Sequence, residues 1–481
     1  MAEVKDNPLP HSRKAALRMG ESLPMIQSEW ATITRRRWRA RFVVAVIILA
    51  AAASCTAQVE TTLAQFDGIT DGAMPYSPLI ADSAQNLYGT TSWNAVFDPA
   101  CISGGASDCG TVFQLSPPQQ AGGSWTETVL YRFTGGSDGA DPNGPLAMDQ
   151  AGNLYGASQY GGSKFDGTIF RLSPPAVPGD PWTETILYAF TGNDGLFPNG
   201  VSIDAAGNLF GTTFSGGICD FGTVFELSPP LSQGGAWTEQ TLYTFHCNGN
   251  SSSDGADPFG GVVQGVGGSL YGTNMFLGAF SAGTVFKLDP PGPGQTTWRE
   301  KVIYAFQDGA DGLYPHSGLT AFRGNLYGTT EEGGTCTFAN HGCGTVYELS
   351  PPPVPKDNWI KTTIYNFTGG MDGQEPVTEV SFDKQGNLYG TTLGGGNPSC
   401  RSVFKNGCGV VYRLAPPGNP GDPWTQTTLH AFLGVGDGNA PLAPVLVGRA
   451  GGLYGTTISG GDLNCSIDKS KGCGTVYKIL P

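Results

Sequence analysis

Stretches of nine residues in which apolar positions alternate with Thr and Glu recur along this chain. One reads Trp125-Thr-Glu-Thr-Val129-Leu-Tyr131-Arg-Phe133. Trp opens such a stretch at 125, 182, 237, 298, 359 and 424, and Phe follows eight residues later at 133, 190, 245, 306, 367 and 432. Period two with β-branched and aromatic residues predicts a strand. Three shorter apolar segments precede each stretch. The first follows Asp-Gly-x-x-Pro, as in Gly144 to Asp149. The second carries a Leu-aromatic-Gly core at Leu87, Leu154, Leu209, Leu270, Leu326, Leu388 and Leu453, in full Gly386-Asn387-Leu388-Tyr389-Gly390-Thr391-Thr392. The third is Gly-Thr-Val-Phe/Tyr-x-Leu, opened by Gly110, Gly167, Gly222, Gly283, Gly344, Gly409 and Gly474, with Val410 replacing Thr in the sixth copy. It runs into Ser-Pro-Pro or a close variant, and Pro cannot donate to a ladder. We label the four segments strands A to D in chain order. A Gly-Asn pair between A and B is a hairpin signal, because both residues tolerate positive φ.

The Leu-aromatic-Gly cores stand 55 to 67 residues apart, and self-similarity at a fixed period decides the fold before any local assignment. Four antiparallel strands per unit, seven times over, predict an all-β, seven-bladed β-propeller of four-stranded antiparallel blades. The strand count supplies the closure. There are seven A, B and C strands but six Trp-led D strands, and the sequence stops just past the seventh strand C. Val59 to Phe66 matches strand D, with Gln58 where Trp would stand. The N-terminal strand is therefore expected to complete the last blade, paired beside Gly474 to Leu480, and to remove the edges an open array would expose.

Composition agrees. Gly is 73 of 481 residues and Pro 35, which suits short strands joined by tight turns, and only 14% of residues are charged. Residues 35–41 are basic, an apolar run Phe42 to Ala53 follows, and Ser54 to Gln58 are small or polar. That is the layout of a secretory signal peptide, so 1–57 reads as a cytoplasmic n-region and signal peptide, and 58–481 as the propeller. Two routes compete. Cleavage after Ala57 frees a soluble, secreted or envelope protein. Cleavage before Cys55 would leave a lipid on that residue, the one membrane attachment expected besides an uncleaved leader, but Ala52-Ala53-Ser54 is a poor lipobox. Residues 58–481 carry 17 basic and 36 acidic side chains, a net of −19, which argues against nucleic acid as a partner. A monomer is expected.

Ten cysteines remain after the leader. Cys101/Cys109, Cys336/Cys343, Cys400/Cys408 and Cys465/Cys473 each fall within one B–C loop. Cys219 lies in the third B–C loop and Cys247 in the next D–A loop, and both loop types leave a blade on the same face. Five disulfides and an oxidising compartment are expected. No Cys-x-x-Cys occurs, and His341 is the one histidine near a pair, so a metal site is not expected.

Gly-Asn-Leu-Tyr-Gly-Thr-Thr, then Gly-Gly, then Gly-Thr-Val-Phe-x-Leu-Ser-Pro, with Asp-Gly-x-x-Pro, resembles the GloVer tandem-repeat family, whose members are often labelled choice-of-anchor proteins. The match runs over about residues 59–481 and all seven units carry it. It implies an exported bacterial repeat protein and brings no activity with it.

Catalytic signatures are missing. The histidines, His11, His246, His316, His341 and His430, occupy unrelated repeat positions, and His430 replaces the Tyr of strand D, a packing position. No Gly-x-Ser-x-Gly elbow, zincin motif or P-loop occurs. One sevenfold set of titratable residues remains, the first residue of Asp-Gly-x-x-Pro: Asp71, Asp138, Asp194, Asp254, Asp311, Asp372 and Asp437. Such Asp residues cap their own turns, with Gly at positive φ and Pro starting strand A. The competing reading is a carboxylate-rich channel mouth that holds Ca²⁺ or a polyhydroxy ligand, with Asp141 and Asp257 adding second carboxylates, although no Asp-x-Asp-x-Asp-Gly loop forms. No cofactor is required by either. The expected function is a non-catalytic binding scaffold for a protein or glycan ligand. The alternative is an extracellular carbohydrate-active hydrolase or lyase, which a paired-carboxylate pocket would favour.

Overall fold

The computed structural model describes residues 58–93, 109–120, 122–232, 234–246, 253–336, 342–354, 358–400, 407–434, 436–462, 465 and 472–480. The chain divides into units 1–57 and 58–481, and the described residues all belong to the second.

The described residues form seven four-stranded sheets. In blade 1 the order is Ile80–Ala81, Leu87–Thr91, Thr111–Ser116 and Thr126–Arg132, strands A to D from first to last, all antiparallel. Blade 7 joins the two ends of the propeller. Its strands A to C are Leu446–Val447, Leu453–Thr457 and Thr475–Ile479, and its strand D is Glu60–Gln65. Glu60 pairs with Ile479 and Gln65 with Thr475, with a bulge between Thr62 and Ala64. The C–D pairs of the other blades bulge at the same place, for example between Val112 and Phe113. The expected N-terminal closure is thus the observed pairing.

Strand A is shorter than the sequence pattern suggests. It pairs over two residues in five blades, three in blade 5 (Thr320–Phe322) and eight in blade 3 (Leu196–Ile203). Pro and Gly after the turn remove donors and side chains where the ladder would otherwise begin.

The motif residues pack as a unit. Gly89 of Leu-Tyr-Gly-Thr-Thr lies under the strand C aromatic, and a Cβ there would stand 2.6 Å from the Phe113 ring. The last Thr of that motif pairs with the Thr of strand C. Thr91 Oγ1 meets Thr111 Oγ1 at 2.8 Å, and Thr213 meets Thr223 at 2.9 Å, in fully buried positions. The strand C amide donates to the same strand B hydroxyl, Thr111 to Thr91 and Thr223 to Thr213, and where Val410 replaces Thr that amide bond, to Thr392 Oγ1, is kept.

Blade joins blade through one repeated contact. The strand D Phe of each blade meets the strand C aromatic of the next, edge to face, at centroid distances of 5.0 to 5.2 Å. Phe66 makes this contact with Phe113, so the N-terminal strand joins blade 7 to blade 1 as every other junction is joined. Such pairs contribute about 0.5–1.5 kcal/mol each beyond their buried area. The strand D Trp packs the other way, Trp182 on Tyr88 and Trp237 on Tyr155 of the preceding blade.

Candidate functional site

The D–A and B–C loops are bonded to one another, Ala73 to Trp93 and Ala140 to Tyr160 for example, and make one face of the ring. Disulfides Cys336–Cys343, Cys400–Cys408 and Cys465–Cys473 brace it, with Cα separations of 5.5 to 5.7 Å. Cys109 and Cys219 are disulfide-bonded as well. The partners expected for them, Cys101 and Cys247, lie outside the described residues, as do Cys55 and His341. Disulfides of this kind indicate an oxidising compartment.

The seven Asp side chains serve the turns that contain them. Asp138 accepts from the Thr134 amide at 2.8 Å, from Thr134 Oγ1 at 2.8 Å and from the Tyr131 hydroxyl at 3.2 Å. Asp372 repeats this with Thr368 and Tyr365. Asp194 and Asp311 each take the strand D Tyr hydroxyl and one turn amide. Asp254 takes Tyr243 and His246, and at Asp437 His430 replaces the tyrosine at 3.0 Å. His430 is therefore a turn partner as well as a packing residue, since its ring also lies on Phe432. In blade 7 the strand D residue at this place is Ala64, and Asp71 accepts from the Asp67 amide instead. The Gly after Asp is required. At Gly72 φ is +101° and a Cβ would lie 2.0 Å from Thr91 Oγ1.

These carboxylates sit beside the outermost strands, and none of the seven lines the axial channel. The second carboxylate that faces them is a glutamate two residues after the strand D Trp position in the following blade. Desolvation first, then the charges of Asp71 and Asp67, push Glu127 up to about 8. Desolvation and Asp138 push Glu184 up to about 7; desolvation and Asp254 push Glu300 up to about 8. Glu239 and Glu60 are raised the same way, through desolvation with Asp194 and Asp437 behind it. Asp71 itself rises to about 7, by desolvation and by its neighbour Asp67. The equivalent position in blade 5 is Lys361. Its side chain is only 4% exposed, and its ammonium binds the Asp311 carboxylate at 3.0 Å and the Asp311 carbonyl. In blade 6 it is Gln426. Trp-x-Glu in four strand D copies, with Gln58-x-Glu60 in the fifth, was the sequence signal for these pairs, hidden because alternation explained Glu as an outward residue.

A second sevenfold set was also missed. The residue before the turn Pro is left-handed in every blade: Met74, Asp141, Phe197, Asp257, Tyr314, Glu375 and Ala440, all with φ of 55° to 57°. A non-Gly residue there costs on the order of 1 kcal/mol or more. Two bonds hold it. Met74 donates its amide to the Cys473 carbonyl of the preceding blade and accepts from the Ser92 amide of its own. Tyr314 does the same with Ala282 and Glu331. Asp257, one of the added carboxylates, is pushed up to about 6 by desolvation with Asp220 behind it.

Met74 and Asp141 open onto a cavity of about 480 Å³ on the ring axis, lined from all seven blades. Among its lining residues none is Lys or Arg. Among the described residues no group of three His, Cys, Asp or Glu could hold a metal ion, and no helix is long and apolar enough to cross a membrane.

Fold and loops define a closed, disulfide-braced, seven-bladed propeller. The chain belongs to the Gloeobacter/Verrucomicrobia repeat family, whose model matches residues 49–178, 100–339 and 299–481. No curated protein matches the sequence. Among solved structures it is similar to a luciferin-regenerating enzyme at 11% identity, covering 88% of this chain and 95% of that one, with a TM-score of 0.39. It is also similar to a protein assigned as a glucose dehydrogenase-type oxidoreductase from Thermus thermophilus, at 13% identity, 88% and 100% coverage and a TM-score of 0.39. A protein assigned as a 6-phosphogluconolactonase from Bacteroides uniformis has 12% identity, 73% and 84% coverage and a TM-score of 0.40. Likeness at this level carries no chemistry to this chain.

Proposed function

We propose that this chain is an exported, non-catalytic propeller that acts as a binding scaffold at the cell envelope or outside the cell, with the loop face as its contact surface and a protein as its partner. The observation that carries this reading is the use of the turn carboxylates. Asp138, Asp194, Asp311 and Asp372 are each held by a tyrosine hydroxyl and a turn amide, which leaves them for capping rather than proton transfer. Several apolar side chains on that face are exposed. Ile218 is 92% exposed, Met371 61%, Leu433 57% and Phe280 55%. Aliphatic and aromatic side chains on disulfide-braced loops suit a protein better than a polar glycan.

The test captures partners from native envelope and culture fractions with the full chain, an Ile218→Lys/Phe280→Lys variant, and a Val177→Lys/Leu231→Lys control on the opposite loops. A protein held by wild type and control but lost with the first variant supports the reading. Equal capture by all three, or retention of glycan alone on an array, overturns it. Export has its own readout. N-terminal sequencing of the secreted protein is expected to begin at Gln58; a lipid-modified Cys55 or an intact leader on envelope protein would point to an anchored form, and protein confined to the cytosol would refute export.

A further inference from the structure

The third residue after the turn Pro lines the axial cavities in every blade, and in six of the seven it stands two residues before strand A. Six blades place Pro78, Pro145, Val201, Gly261, Gly318 and Pro444 there; blade 6 places Glu379. Two of the glycines make room beside it. A Cβ on Gly261 would meet nothing within 4 Å, while one on Gly318 would meet Glu379 Oε1 at 2.1 Å, so the carboxyl lies where that side chain would be. Glu379 lines three adjoining cavities of about 480, 450 and 370 Å³. The two smaller ones are otherwise lined largely by aliphatic residues in or beside strand A, such as Val201, Val263, Val380 and Leu446.

On the wider side stands His316. Its ring stacks on Phe259, with centroids 3.8 Å apart and planes 27° apart. Its hydrogen bond goes to the Val377 backbone, and burial pushes its pKa down to about 4, so the ring is neutral. Nδ1 is buried and makes no hydrogen bond. With the ring proton on the nitrogen that faces Val377, Nδ1 presents a lone pair. Burial pushes Glu379 up to about 7, with no cation near it to offset that. The other titratable side chains lining the widest cavity are Tyr76 and Asp141, and the two smaller cavities add none.

We propose that this channel site binds an alkyl ammonium compound, its charged head between Glu379 and His316 Nδ1 and its carbon chain against Phe259 and the aliphatic lower channel. Each feature selects that class. Acceptors without a cationic neighbour call for a donor that carries charge. A desolvated carboxylate gains most from a partner that restores its counter-charge, and the net −19 of residues 58–481 attracts cations toward it. A bare metal ion would find no third His, Cys, Asp or Glu ligand among the described residues. The proposal is independent of the loop-face reading and stands whether or not a protein partner exists.

The probe is n-butylammonium, titrated calorimetrically into the full chain between pH 6 and pH 8, with n-butanol as the uncharged isostere. A capped lysine amide tests whether a protein side chain can enter as a free amine does. Butylammonium is expected to bind and butanol not. Affinity should rise with pH, about fivefold from pH 6 to pH 7 and about twofold more by pH 8, as the ligand displaces the Glu379 proton. Glu379→Gln should weaken binding at least tenfold and abolish the pH dependence, with thermal melts confirming that the variant is folded. His316→Phe, which keeps the stack on Phe259 but removes Nδ1, should weaken it by a smaller factor. Equal binding of butanol, unchanged affinity in folded Glu379→Gln, or no butylammonium binding at all would overturn the proposal.

Discussion

Blades 5 and 6 and blades 7 and 1 are built from the same repeat, yet their junctions differ at both radii. Near the channel, the middle Thr of strand B donates to the next blade: Thr329 to the Thr378 carbonyl at 3.0 Å, Thr391 to the Ala443 carbonyl at 3.2 Å. Thr320 and Ser381 add bonds to the carbonyls of Val380 and Val445. In blades 7 and 1 the equivalent Thr456 and Thr90 hydroxyls are buried and find no protein partner. At the rim, Lys361 neutralises Asp311 and Gln426 stands in the blade 6 position, whereas Asp437 faces Glu60 and Asp71 faces Glu127. One arc is bonded inside and holds no facing pair of like charges outside; the other lacks those bonds and holds like charges together. The weaker arc is the one closed by a strand from the other end of the chain. Local free energies of opening differ within one fold for reasons of this kind.

The largest expected effect follows from that closure. Removing residues 58–66 takes away strand D of blade 7 and the Phe66–Phe113 contact. It exposes the strand C edge from Thr475 to Ile479 at the weaker arc. We expect aggregation or loss of a single cooperative unfolding transition, read by calorimetry. An unchanged melt would show that the ring does not depend on this strand.

The closure was legible in the sequence because it rests on counting strands, and period-two segments of eight or nine residues count reliably. The Asp turns were legible too, since Asp-Gly-x-x-Pro states its own conformation. Three features were not. The left-handed residue before Pro is Met, Asp, Phe, Tyr, Glu or Ala, and no residue type marks it; bonds from two blades impose it. Lys361 and the five glutamates occupy outward positions in a strand, and their burial exists only once the turn leaving the preceding blade covers them. Glu379 differs from its six counterparts, but it precedes the two-residue strand A, so position three after Pro carries no periodic signal.

Acidity should distinguish the arcs next. Glu127, Glu300, Glu184 and Asp71 have folded pKa values of about 7 to 8, above ordinary carboxylates. The folded state therefore holds protons that the unfolded state has released, and these groups add stability that is present below about pH 4 and lost as pH rises through 7 to 8. The slope is at most about 1.4 kcal/mol per pH unit for each group. Denaturation between pH 5 and pH 8.5 should show stability falling with pH. Glu127→Gln should flatten the curve, and Lys361→Glu should steepen it by making blade 5 resemble blade 1. A curve that rises over this range would remove the electrostatic half of the comparison.

The channel half is tested by isosteric substitution. Thr391→Val and Thr329→Val strand the Ala443 and Thr378 carbonyls and should each cost about 1–3 kcal/mol. Thr90→Val and Thr456→Val remove hydroxyls that bond to nothing in the protein, and should be neutral within about 0.5 kcal/mol or stabilising. Urea midpoints decide it. Equal losses at all four positions would mean that the Thr90 and Thr456 hydroxyls have partners after all.

The smallest effect concerns calcium. If the Glu–Asp pairs attract a cation, the place it would take is shown by the Lys361 ammonium, between the Asp311 carboxylate and carbonyl. Asp138, Asp194, Asp254 and Asp372 already accept tyrosine hydroxyls and backbone amides, so little coordination remains for an ion there. Binding at 100 times Kd would add about 2.7 kcal/mol, which for a chain of this length is a shift of only about a few degrees. We expect millimolar Ca²⁺ against chelator to move the melt by no more than that. Asp138→Asn and Asp254→Asn should reduce whatever shift is seen, and Asp311→Asn should leave it alone, because Lys361 already fills that blade. A large shift, abolished by Asp138→Asn and Asp254→Asn and untouched by Asp311→Asn, would turn the like-charged turns from a weakness of the ring into its cation sites. A shift equally sensitive to Asp311→Asn would place the ion elsewhere on the acidic surface.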